Sequence, residues 1–169
     1  MFWSKVKREK KIGNPLKSGF NFGLTSAVIT TTGLMIGLTA GTGSKLAVLG
    51  GILTIAIADA FSDALGIHIS EESKNGDKQK EVWQATLATF ISKFIFAITF
   101  IWPVLFFNLK IAVLINLIWG ALLITILSLM IAKGQNRRVG RIIGEHLLIA
   151  TLVIILSYYA GLFINRVFS

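Results

Sequence analysis

Five stretches of the sequence are each long and apolar enough to cross a lipid bilayer as an α-helix, which takes about 20 residues. In hydrocarbon every backbone N–H and C=O must find a partner inside the chain, so such stretches fold as helices. We therefore predict an all-α integral membrane protein with a basic leader at 1–18 and a five-helix membrane domain at 19–169. The predicted spans lie at about 19–41, 45–70, 82–108, 111–132 and 146–165.

The charges indicate the class of protein and its orientation. Only 15% of the residues are charged, against about 25% in soluble domains. The leader holds six Lys and Arg, the 71–81 segment three and the 133–145 segment four, whereas the opposite side holds three. The positive-inside rule then predicts a cytoplasmic N-terminus. The net charge of +9 is explained by this topology and by anionic lipid, so we expect no nucleic-acid partner.

Two aspartates interrupt the second span. Asp59 and Asp63 are four residues apart and share one helix face. A carboxylate in hydrocarbon costs a few kcal/mol, so such residues usually have a function. Lys93 lies at a similar depth in the third span and could pair with Asp59. Asp63 has no evident partner, and we expect it to bind a cation or a proton.

Further polar residues could extend this ion site. His68 precedes Glu71 and Glu72 by three and four residues, a spacing that suits a divalent metal but is also found at solvated helix ends. Asn21 in the first span could add an amide oxygen. The sequence contains no catalytic motif and no cysteine, so we predict neither an enzyme nor a bound cofactor.

Small residues mark one face of the first span. Gly33, Gly37 and Gly41 recur at every fourth position, a pattern that lets helix backbones approach closely. It predicts either packing within the chain or the seam of a homodimer.

In the third span, Pro103 should kink or end the helix.

Several stretches resemble the vacuolar iron transporter family, whose members carry ferrous iron or manganese out of the cytosol. They are GFNFGLTSAVITTTGLMIGL (19–38), ADAFSDALGIHISEES (58–73), Trp102-Pro103 and SYYAGLFI (157–164). The resemblance implies five spans, a cytoplasmic N-terminus and a dimer. The sequence departs from the family pattern at ligand positions: Phe22 replaces an aspartate, Asp63 a methionine, Ile67 a glutamate and His68 a tyrosine.

Together these features predict a homodimeric carrier that moves Fe²⁺ or Mn²⁺ out of the cytosol in exchange for protons, across a prokaryotic plasma membrane. Asp59, Asp63 and Asn21 would hold the ion, and His68, Glu71 and Glu72 would receive it on the cytoplasmic side. The seam would be the stripe Gly33, Gly37 and Gly41. Phe22 and Lys93 favour an alternative, a non-transporting membrane scaffold that has lost the site. A third reading is a carrier of an organic cation, or of an anion held by Lys93.

Overall fold

The computed structural model describes residues 14–75, 77–135 and 138–168, and these are almost entirely helical. Within this part of the chain, five helical segments are long and apolar enough to cross a membrane, as predicted. We call them spans 1 to 5 in chain order. The predicted leader falls mostly on residues 1–13, which lie outside the described residues. The spans are Pro15–Thr42, Lys45–Lys74, Gln79–Phe106, Leu109–Lys133 and Val139–Phe168.

The helices extend beyond the predicted spans, and two spans are interrupted. The helices are α1 (Pro15–Thr42), α2 (Lys45–Thr54), α3 (Ala60–Asn75), α4 (Gln79–Thr99), α5 (Ile101–Phe106), α6 (Leu109–Gln135) and α7 (Val139–Phe168). Helix α7 begins before the predicted fifth span: Arg141 lies inside it and pairs with Glu145 one turn later at 2.8 Å. Spans predicted from runs of apolar residues stop short of such helix ends, because helical hydrogen bonding continues over polar residues.

Side-chain caps and a glycine fix the ends of α1. The Asn14 carboxamide oxygen accepts a hydrogen bond from the Leu16 N–H at 3.1 Å, and Pro15 occupies the first helical position. Gly43, with φ of 59°, ends the helix in the left-handed conformation. Ser44 then caps α2 by accepting from the Ala47 N–H. Gly43 and Ser44 thus form a tight turn between the first two spans.

Span 3 breaks at Phe100, close to the kink predicted at Pro103. A proline has no N–H, so the carbonyl four residues earlier, that of Thr99, loses its helical donor. Span 4 supports the break: the Asn116 amide donates to the Phe100 carbonyl at 2.9 Å, and the Trp119 indole donates to the Thr99 hydroxyl at 2.9 Å.

Helix α1 lies at the centre of the bundle. It packs most extensively on α4 and α7, while α3 packs on α4 and α6 on α7. Large apolar side chains are exposed along the outer faces of the spans, whereas several polar ones are buried inside. This inverted distribution fits a surface that contacts lipid. The buried polar or charged residues are Thr31, Thr32, Thr86, Thr89, Ser92, Lys93, Asn116 and Ser128.

The glycine stripe of span 1 packs within the chain. A methyl group added at Gly37 would lie 3.3 Å from the Ser157 carbonyl, and one at Gly41 would lie 3.3 Å from the Gly161 carbonyl. Gly161 in turn leaves no room for a side chain beside the Gly37 carbonyl. Of the two predicted roles for Gly33, Gly37 and Gly41, the structure therefore supports the contact with α7. The homodimer seam predicted at the same three glycines stays a prediction.

Candidate functional site

Lys93 is fully buried in the middle of span 3, and its ammonium group is surrounded by oxygen atoms. Its Nζ lies 2.5 Å from Asp59 Oδ2, donates a hydrogen bond to Asp63 Oδ2, and donates another to Ser26 Oγ at 2.9 Å. An ammonium has three N–H donors; two of them make these hydrogen bonds, and the contact with Asp59 is an ion pair. We call these four residues, from three spans, the ion cluster.

Two glycines allow α1 to approach α4 closely enough for Ser26 to reach the lysine. A methyl group at Gly19 would collide with the Ala85 carbonyl, and one at Gly23 would collide with Ser92 Oγ and lie 2.5 Å from the Thr89 carbonyl. The Thr89 hydroxyl also donates to the Gly19 carbonyl at 3.3 Å. Small residues at a helix crossing thus bring the polar groups of two spans together.

A π-helical turn, Ile55–Asp59, positions the carboxylates of span 2. It interrupts the helix and ends at Asp59, so the wider turn sets the direction of the face that carries Asp59 and Asp63. Short π-helical segments are rare and are found frequently at functional sites. No sequence feature considered above predicted this turn.

The two aspartates differ in their contact with Lys93. The predicted Asp59–Lys93 pair is confirmed by distance, although Asp59 Oδ2 has no hydrogen-bond partner of acceptable angle among the described residues. The prediction that Asp63 lacks a partner was wrong, because Asp63 makes the hydrogen bond. Asp59 is also the more accessible carboxylate, with its side chain 33% exposed against 20% for Asp63. Asp59 is therefore the carboxylate that Lys93 holds less firmly.

The charges of the cluster do not balance when all three groups are ionised. Two carboxylates and one ammonium sum to −1. Inside a low-dielectric bundle an excess charge is unfavourable, and one additional proton or cation relieves it. The cluster therefore has one carboxylate charge that Lys93 does not neutralise.

The other predicted ligands lie apart from the cluster. His68 Nδ1 lies 3.0 Å from Thr86 Oγ1, and the ring packs edge-on against Trp83. Glu71 pairs with Lys74 at 3.3 Å, and Glu72 is exposed. Within the described part of the chain, no three His, Asp or Glu side chains form a metal-binding group. The predicted receiving site of His68, Glu71 and Glu72 is therefore not assembled in this structure.

Span 1 contributes a hydroxyl group where an amide was predicted. The backbone carbonyl of Asn21 accepts a hydrogen bond from the Thr25 hydroxyl, and the residue of this helix that reaches Lys93 is Ser26, five positions later. The sequence analysis missed Ser26, although the Gly19 and Gly23 spacing marks the face of α1 that approaches another helix.

The chain was compared with family models, with curated proteins and with solved structures, and none of them matches it.

Proposed function

We propose that this chain is a membrane carrier of a small cation and that the ion binds between Asp59 and Asp63. The observation that carries the proposal is the position of Lys93, whose ammonium already fills a cation position between two carboxylates. Fe²⁺ and Mn²⁺ are the ions to which the family resemblance points. Carboxylate and hydroxyl oxygens without a sulfur ligand favour the harder of the two, Mn²⁺.

The exchange of the metal ion for protons follows from the charges of the ion cluster. An arriving Mn²⁺ competes with the Lys93 ammonium for the two carboxylates. The Asp59–Lys93 contact breaks first because it is the weaker of the two. Once the ammonium has moved away, the two carboxylates neutralise the divalent ion, and the Ser26 hydroxyl can add a third oxygen. Protonation of either carboxylate on the far side weakens the site and releases the ion. Transport in one direction is thereby coupled to proton movement in the other.

The remaining parts of the proposal come from the charge distribution and the resemblance. We propose a cytoplasmic N-terminus, because basic residues are concentrated on that side of the spans. Outward movement of the ion and a prokaryotic plasma membrane complete this proposal. A homodimer through the stripe Gly33, Gly37 and Gly41 remains a prediction.

Uptake of Mn²⁺ into proteoliposomes tests the site. We expect Asp59→Asn and Asp63→Asn each to lower the initial rate at least about tenfold, because each removes a charged ligand worth about 1.5–3 kcal/mol. Asp77→Asn is the matched control, since Asp77 is exposed outside the spans. The site assignment fails if Asp59→Asn and Asp63→Asn carry Mn²⁺ as fast as the unaltered protein. Repeating the assay with Fe²⁺ compares the two ions.

A non-transporting scaffold is the second candidate, and one observation favours it: the buried ammonium is already hydrogen-bonded to Asp63 and Ser26 and paired with Asp59. In that case the ion cluster only joins three spans. Unaltered protein would then carry no Mn²⁺, while Asp63→Asn would still lower the unfolding temperature. A carrier of anions is disfavoured, because two carboxylates surround Lys93.

A further inference from the structure

Five buried side-chain oxygen atoms lack a hydrogen-bond partner among the described residues, and two of them belong to fully buried residues: Thr31 Oγ1 on α1 and Asn116 Oδ1 on α6. The neighbouring Thr30 and Thr32 hydroxyls each donate to the carbonyl four residues earlier, at 2.8 and 2.5 Å. Thr31 makes no such bond. Buried polar atoms without partners are rare in folded proteins, and binding of a water or an ion is one explanation of them.

Asn116 lies beside the break in span 3, and Thr31 lies one helical turn from Met35, which Asn116 contacts. The Asn116 amide nitrogen contacts Met35 Sδ at 3.2 Å and the Phe100 carbonyl at 2.9 Å. Thr31 precedes Met35 by four residues and so shares its helix face. A third buried oxygen without a partner, Thr39 Oγ1, lies four residues beyond Met35. Broken helices and free oxygens of this kind form ion sites in membrane carriers.

This region follows the ion cluster in one direction along two helices. Thr31 is five residues beyond Ser26 on α1, which is about 8 Å of helical rise. Phe100 is seven residues beyond Lys93 on span 3, or about 10 Å. Spans 1 and 3 run the same way through the bundle. The two distances therefore place the oxygens of Thr31 and Asn116 farther from the N-terminal end of α1 than the ion cluster.

We propose that Thr31 and Asn116 form a second, uncharged site that receives the cation as it leaves the ion cluster. This inference rests on the proposed function. Oxygens without charge bind a cation weakly, and conduction needs sites that are weak enough for the ion to leave again. An ion that left two carboxylates for another charged site would be trapped there. Thr39 then provides the next oxygen on the same path.

The variant Thr31→Val tests this site, because it removes the hydroxyl and keeps the shape of the side chain. We expect the initial rate of Mn²⁺ uptake to fall roughly tenfold, the effect of one oxygen ligand on a charged group. Calorimetric Mn²⁺ binding to the ion cluster should stay unchanged. Since no hydrogen bond in the protein is lost, the unfolding temperature in detergent should be unchanged or higher. Asn116→Leu should also slow uptake, but with a loss of stability, because its amide supports the break in span 3.

Thr32→Val is the matched control. This neighbour is also buried, but its hydroxyl is satisfied by the Val28 carbonyl, so uptake should stay close to that of the unaltered protein. Uptake by Thr31→Val at the unaltered rate overturns the second site, even if Asp59→Asn is inactive and the ion cluster stands. Equal losses in Thr31→Val and Thr32→Val also overturn it, because a packing defect would explain both. Unaltered protein that carries no Mn²⁺ overturns both the carrier and the second site.

Discussion

Replacing Lys93 by methionine would remove the only positive charge of the ion cluster and keep most of the apolar stem. Asp59 Oδ2 and Asp63 Oδ2 each lie close to the same nitrogen atom, so the two oxygens are at most about 5 Å apart. Two unit charges at this separation repel by about 3 kcal/mol at an effective dielectric constant of about 20. Removal of one partner from a buried ion pair typically costs about 3–5 kcal/mol.

We therefore expect Lys93→Met to lower the free energy of unfolding by about 3 kcal/mol. Thermal unfolding in detergent, followed by the fluorescence of the four tryptophans, measures this loss. Lys110→Met is the control, because Lys110 is exposed. The double variant Lys93→Met/Asp59→Asn should recover part of the stability, since only one carboxylate then remains charged.

The variant Lys93→Met also tests whether the ammonium occupies the position at which the metal ion binds. Added Mn²⁺ should raise the unfolding temperature of Lys93→Met more than that of the unaltered protein, because the ion meets no competitor. If Lys93→Met unfolds at the unaltered temperature and Mn²⁺ has no effect on it, the electrostatic account of the cluster is refuted.

Two glycines give further predictions. We expect Gly23→Ala to lower the free energy of unfolding by about 1–3 kcal/mol, because its methyl group would lie 2.5 Å from the Thr89 carbonyl. The control Gly50→Ala should have little effect in the same thermal assay, because Gly50 faces open space. Equal losses of stability in the two variants would contradict close packing of α1 on α4. Gly161→Ala should destabilise the protein by a similar amount, since the added methyl collides with the Gly37 carbonyl, with no change of mass in light scattering. A lower mass at unchanged stability would instead indicate that this stripe joins two copies.

The architecture could be predicted because each span carries its own signal. Apolar length marks the five helices, Gly43 marks the turn after span 1, and Pro103 marks the break in span 3. The ends of the helices could not be placed in the same way. Arg141 and Glu145 fall outside the predicted fifth span because they are charged, yet a pair four residues apart stabilises a helix.

The site was predictable only in part, because contacts between spans depend on crossing geometry. Depth along the spans was enough to bring Lys93 near Asp59. It did not predict that the same ammonium also reaches Asp63, because the π-helical turn directs both carboxylates toward span 3. Ser26 was missed for a related reason: serines are common in such helices, and only the approach allowed by Gly23 makes this one a ligand. The glycines of span 1 indicated a close helix contact but could not identify the partner.

The central position of α1 has a consequence for how the protein is made. Helix α1 is synthesised first, yet its main partners, α4 and α7, follow much later in the chain. Until α4 and α7 have been inserted, a helix with so many hydroxyl groups would be poorly suited to contact with lipid. Thr25, Thr30 and Thr32 each donate to a carbonyl of their own helix, which satisfies these hydroxyls before any other helix arrives. Thr31 does not, so the helix carries forward an unsatisfied group that later chain segments enclose.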